Sequence, residues 1–344
     1  MASVTLDRML LAAAILLGLA SAPAFAGPIY KIDHRVALEG DTGWDCIRVD
    51  PGAKRLYLTR GVRVDVLDLG NEKLVGSIPD TPGVHDVAIA ADLGKGFTSN
   101  GLSGTVTVFD LRSLKVKKTI PVGDHPDIML YDDLSHNVFV FNGKSKDISV
   151  ISAKKEKVLA TVALNARPEF AVSDGKGSIF INLEDTNSIA ALDVKTLKVR
   201  ATWPLVGAES PSGLAFDRAH GLLFAVCDGK KMEVVDAQTG ASTAEVAIGE
   251  HPDGAAFDPA TQLVFSSNGE GTLTVAQEVS PTTVTVVDTV ITQKGAKTMA
   301  LDPSTHQVYM ICAQYLTETP SVGEEHHRPK IMPGSVELLV LKKL

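Results

Sequence analysis

The chain has 344 residues, 44% of them hydrophobic and only 5% aromatic, with 33 Lys and Arg against 41 Asp and Glu and a formal net charge of −8. An acidic chain without a long basic run argues against sequence-independent nucleic-acid binding, which needs clustered Lys and Arg. The same balance favours cationic ligands.

The first element is a leader. Arg8 precedes an apolar run over residues 9–20, and Ala24-Phe25-Ala26 follows as a small-x-small tripeptide. This pattern predicts a secretory signal peptide over residues 1–26, cut after Ala26. A run of about 12 residues is too short for the ~20 that a spanning helix needs. The remainder, residues 27–344, is expected to be periplasmic or secreted, monomeric and without a membrane span. Cys46, Cys227 and Cys312 are odd in number, and each lies in an apolar strand-like run. Buried free thiols are the expectation, with a Cys46–Cys312 bridge as the alternative if the first and last repeats meet.

Beyond the leader the sequence repeats. One aromatic recurs as Tyr57, Phe97, Phe139, Phe180, Phe224, Phe265 and Tyr309, at steps of 40 to 44 residues. A polar residue behind a Pro-like position recurs as Asp45, Asp86, Asp127, Glu169, Ser212, Asp253 and Lys297. Asp68, Asp110, Ser152, Asp193 and Asp236 close a third apolar run, and Asn100-Gly101, Asn142-Gly143, Asp228-Gly229 and Asn268-Gly269 mark a turn. Each repeat holds four short runs rich in Val, Ile, Phe and Thr, bounded by turn residues. Asn-Gly between two runs signals a tight hairpin, and Asp-Pro at Asp50, Asp258 and Asp302 starts the turn before the aromatic run.

Four-stranded units of this length, seven times over, predict an all-β fold: a seven-bladed β-propeller. The predicted blades span residues 40–80, 81–121, 122–163, 164–205, 206–247, 248–293 and 294–341. The last has only three runs of its own, so residues 30–38 are predicted to supply its fourth strand and close the ring with strands from both ends. It also carries a loop insertion over residues 313–334, polar and Pro-rich, with Glu324, Glu325, His326 and His327. A loop of that length is a surface element of functional interest.

The chain resembles the YVTN-type, YncE-like bacterial propellers. The resemblance is carried by Pro126 to Asp132, Pro211 to Asp217 and Pro252 to Asp258, each Pro-x5-Asp, and by runs such as Val106-Thr-Val-Phe-Asp110 and Met232-Glu-Val-Val-Asp236. It covers residues 30 to 344 and implies an exported, monomeric seven-bladed propeller with no family-wide catalytic set. The residue after the Pro is often small in such repeats and is mostly acidic here.

Strand one of a propeller blade lies beside the axis. The strand-one starts and the loops between strands two and three therefore share a face. On it the sequence places Asp45, Asp86, Asp127, Glu169, Asp253 and Lys297 as ligand-binding residues, with Asn100, Asn142, Asn182 and Asn268 in the outer loops. Carboxylates ringing a narrow opening repel one another and recruit a cation. Asp86, Asp127 and Asp253 with His85, His125 and His251 are the candidate ligands of a divalent cation, Ca, Mg or Mn from the oxygens, or Zn if imidazole joins. The alternative is that each carboxylate caps backbone N–H groups. No nucleophile elbow, Walker loop, H-E-x-x-H or C-x-x-C pair is present, so no catalytic residue is predicted. The expectation is a non-catalytic exported propeller binding a ligand or protein partner. A metal-dependent, lactonase-like hydrolase or lyase and a purely structural docking scaffold are the alternatives.

Overall fold

The structure is a computed structural model and describes residues 27–316 and 330–344. The expected signal peptide, and Glu324, Glu325, His326 and His327, lie outside the described residues. The described strands form seven four-stranded antiparallel sheets, six of them consecutive in sequence. These span residues 47–78, 84–121, 126–163, 168–204, 209–247 and 252–291 and are blades 1 to 6. Blade 7 holds Thr298–Asp302, Gln307–Cys312 and Glu337–Lys343, with Tyr30–Ala37 paired outside the last of these. The seven-bladed propeller expected from the repeat is the observed fold, closed by strands from both ends of the described chain.

Burial explains why the repeat reads as it does. Second strands such as Arg55–Arg60 and Asn137–Asn142 are buried along nearly their whole length, because a neighbouring blade covers each face of the sheet. Their runs are accordingly apolar without alternation. Fourth strands such as Lys157–Ala163 and Lys198–Pro204 alternate exposed and half-buried residues, the pattern of a sheet edge. All seven repeat aromatics are between 0% and 2% exposed. Phe224 stacks on Phe257 of the next blade at 5.5 Å, and Phe180 on Trp203 at 6.1 Å. Cys46, Cys227 and Cys312 are buried free thiols.

The turns follow side-chain chemistry, with one departure. Asp50, Asp258 and Asp302 accept the N–H of Ala53, Ala260 and Ser304 at 2.9–3.1 Å, as expected of Asp-Pro turns. Asn-Gly is not the centre of a two-residue hairpin. Asn100 pairs with Thr105 and Asn142 with Asp147, so each Asn ends strand two and a four-residue loop follows. The left-handed residues are instead Gly104 and Lys146, at the far ends of those loops.

Candidate functional site: the axial mouth

Strand one of most blades begins with an irregularity. Pairing shifts between Val84 and Asp86, between Pro126 and Met129, and between Pro252 and Gly254. The extra residue of such a bulge re-aims a side chain. Val84, Pro126 and Pro252 each pair with the last residue of strand two, Asn100, Asn142 and Asn268. The counterpart of Asp127 and Asp253 in blade 2 is therefore His85, and Asp86 falls one step further in. The ring of equivalent positions is Asp45, His85, Asp127, Glu169, Ser212, Asp253 and Lys297. The loops between strands two and three share this face, since Gly143 N donates to His125 O at 2.9 Å and Gly269 N to His251 O at 2.8 Å.

Three consecutive blades bring their ring residues into contact. His85 Nδ1 lies 2.5 Å from Asp45 Oδ2 and 3.7 Å from Asp127 Oδ1. One ligand-type atom from each of the three falls within 4.8 Å of the others. His125 packs edge-on against His85, ring centroids 4.9 Å apart. Burial and the neighbouring His85 lower its pKa. Burial, then the Asp45 charge, pushes Asp127 up to about 7 against the pull of His85. Asp253 is held by Lys297 at 3.5 Å, and Glu169 by Arg167 at 3.0 Å. His251 is exposed with left-handed backbone (φ 52°) and lies outside the Asp45–His85–Asp127 cluster. Of the six predicted metal ligands, the structure brings together His85 and Asp127, and it adds Asp45.

Glu169 is the most perturbed acid of the ring. Burial first, then Asp127, raises its pKa from an ordinary 4.5 to about 9, with Arg167 opposing. A carboxyl whose pKa is raised by folding binds its proton more tightly in the folded state. Folding stability therefore falls as pH rises through the window from about 4.5 to about 9. Glu169→Gln is expected to remove part of that slope and to stabilise the protein by roughly 1–2 kcal/mol at pH 9. Urea melts of both proteins at pH 5, 7 and 9 check this, and equal slopes would contradict it.

Asp86 is a correction to the sequence reading. It is fully buried and accepts Nε and Nη2 of Arg48 at 2.7 Å each, together with the N–H of Met129 at 2.9 Å. Burial disfavours the Arg48 charge, but Asp86 offsets it and holds the guanidinium pKa above its ordinary value. Asp86 thus ties blades 1, 2 and 3 and is not presented to the mouth. The predicted outer-loop asparagines are also fully buried. Asn100 and Asn268 donate to threonines of their own hairpins, and Asn142 to Asp147 and Ser149. Asn182 donates to the carbonyls of Ser212 and Gly213, taking the blade-to-blade role that Ser99 and Ser267 play through the carbonyls of Asp127 and Lys297.

Below the ring a small void of about 10 Å³ lies between Arg48, Phe170, Gly254 and Met299, room for about one water. Gly213 shows how closely the inner strands approach, because a Cβ there would lie 2.5 Å from Asp253 O. Beside that void a cavity of about 620 Å³ opens toward the opposite face, lined by Phe216, Phe257, Met299 and Leu301 with Arg48 and Arg218. Its volume suits a small ligand, but its interior charge, Arg48, is already neutralised by Asp86. Sequence reading missed this cavity, whose walls come from apolar strand-one positions indistinguishable from core. The stem of the blade 7 insertion borders the acidic face: Tyr315 bridges Ile331, and Gly334 N donates to Asp41 Oδ1 at 2.7 Å.

The ring of seven four-stranded blades defines the class, a seven-bladed propeller of WD40-like architecture. No known protein family and no curated protein matches the sequence. Among solved structures, a chain of the mitotic checkpoint complex superposes with a TM-score of 0.76 at 13% identity, covering 98% of this chain and 99% of that one. The WD40 repeats of RRP9 superpose at 0.74 with 10% identity, covering 91% and 99%. Hydrazine synthase of Kuenenia stuttgartiensis superposes at 0.71 with 16% identity, covering 79% and 93%. At such identities the likeness defines the fold alone. Among the described residues no helix is long and apolar enough to cross a membrane.

Proposed function

We propose that this chain is an exported propeller of the YVTN, YncE-like kind that binds a cationic ligand in its axial mouth, either a divalent cation or a cationic group of a partner. The observation that carries the reading is the convergence of Asp45, His85 and Asp127 from three successive blades onto one half-open point. Two carboxylates and an imidazole are a ligand set for Zn or Mn. Asp45, 41% exposed, leaves the point open to solvent. The bulges of blades 2 and 3 aim His85 and Asp127 toward this point, beside Asp45 of blade 1.

Metal analysis of the purified protein tests the reading. Asp127→Ala and His85→Ala are expected to weaken binding of Mn²⁺ or Zn²⁺ at the mouth by at least about tenfold, with Asp253→Ala, whose partner is Lys297, much less affected. No difference between these variants and the parent would remove the mouth as a cation site and leave a docking scaffold. Turnover of lactones or esters that vanishes in Asp127→Ala would replace binding by metal-assisted hydrolysis.

A further inference from the structure

On the face away from the mouth, blades 5 and 6 bring three ligand-type side chains together. Asp217 ends the inner strand of blade 5, Glu209–Asp217, and His220 sits in the turn that follows. Glu278 lies near the end of the third strand of blade 6, Thr272–Ser280. His220 Nδ1 is 2.6 Å from Asp217 Oδ2 and 2.7 Å from Glu278 Oε1. One atom from each residue falls within 4.8 Å of the others. The carboxylates are 3% and 1% exposed, whereas His220 is 39% exposed and faces solvent.

The cluster is short of positive charge and of donors. Asp217 is served by the N–H groups of Ala219 at 2.8 Å and His220 at 3.2 Å. Glu278 is not: neither of its oxygens accepts a well-directed hydrogen bond, although His220 Nδ1 is close to one of them. A single ring nitrogen carries at most one proton and cannot direct it at both acids. A buried carboxylate left in that condition either takes up a proton, as burial and the Asp217 charge favour for Glu278, or is completed by a cation that displaces that proton.

We propose that Asp217, His220 and Glu278 form a binding site for a zinc-class divalent transition metal that staples blade 5 to blade 6. One imidazole and two carboxylates are a borderline N/O set that suits Zn²⁺ and disfavours Ca²⁺ and Mg²⁺, which take oxygen alone. Three protein ligands leave a fourth position open beside the exposed His220. Metal–ligand bonds of about 2.0–2.2 Å place tetrahedral ligand atoms about 3.3 Å apart. The two spacings to His220 Nδ1, 2.6 and 2.7 Å, need to open by only about 0.6 Å, a movement the solvent-facing imidazole can make. The site is separate from the axial mouth, and neither depends on the other.

The test compares chelator-treated wild type, His220→Ala, Glu278→Gln and Asp127→Asn. Thermal melts are recorded with and without Zn²⁺, and Co²⁺ is added as a spectroscopic probe. Zn²⁺ is expected to raise the wild-type Tm by about 3–8 °C at saturating metal, and Co²⁺ to give the visible bands of a four-coordinate ion. Both signals should persist in Asp127→Asn. In His220→Ala and Glu278→Gln the Tm shift and the Co²⁺ bands should fall to whatever the mouth alone contributes, and the number of metal equivalents should drop by one. Unchanged stoichiometry and shift in His220→Ala, or no metal-dependent signal in the wild type, would overturn the proposal. Should Glu278→Gln fail to fold, His220→Ala, a change at an exposed turn, decides the matter.

Discussion

Removing residues 27–38 is expected to abolish the cooperative melt of the propeller. That segment supplies the outer strand of blade 7, paired from Tyr30 with Lys343 to Ala37 with Glu337. Tyr30 is 1% exposed, packs edge-on to Phe265 at 5.2 Å and donates its hydroxyl to His306 O at 2.8 Å. Asp288 of blade 6 accepts the N–H groups of Ile29 and Tyr30 at 2.7 and 2.9 Å. The register shift between Ile32 and His34 reverses the alternation, so Tyr30 and Ile32 join the core shared with blade 6 while Val36 and Leu38 join the one shared with blade 1. Losing these contacts costs more than about 5 kcal/mol. It also bares the edge of Glu337–Lys343, a template for pairing with another chain. Size exclusion should show the truncated protein eluting earlier than the parent, and a synthetic peptide of residues 27–38 should restore the parent's elution. A truncated chain that melts within a few degrees of the parent would count against closure by this strand.

Asp86→Ala is expected to be the most damaging single substitution near the axis. It strands the Arg48 guanidinium against Phe170, whose ring centroid lies 5.8 Å away, and frees the N–H of Met129. Breaking a buried ion pair by removing one partner costs about 3–5 kcal/mol, a drop in Tm on the order of 10 °C. Arg48→Met, which keeps the bulk, should cost a similar amount because it strands the fully buried Asp86. The double variant Asp86→Ala with Arg48→Met should recover part of the loss. Equal and additive losses would show that the two side chains act independently.

The architecture was legible because its signals are periodic. Seven aromatics at near-constant spacing report one buried position per blade, and a last repeat one strand short points to the other end of the chain. The site was legible only in outline. Matching residue types between repeats aligned Asp86 with Asp127, whereas the bulge sets His85 there, and a slip of one residue turns a side chain from the opening to the interior. The asparagines were misplaced for a related reason. Asn-Gly suggests an exposed hairpin tip, but the carboxamides of Asn100 and Asn268 lie one step inside it, holding strand three through paired threonines. Asp217, His220 and Glu278 left no trace in sequence, since Asp217 and Glu278 sit at different strand positions of successive blades and only the packing of those blades brings them side by side.

The cavity of about 620 Å³ gives the ring two unlike ends. On one face Asp45, His85 and Asp127 gather ionisable groups; on the other, Phe216, Phe257, Met299 and Leu301 offer an apolar recess. A guest suited to one end is therefore unsuited to the other.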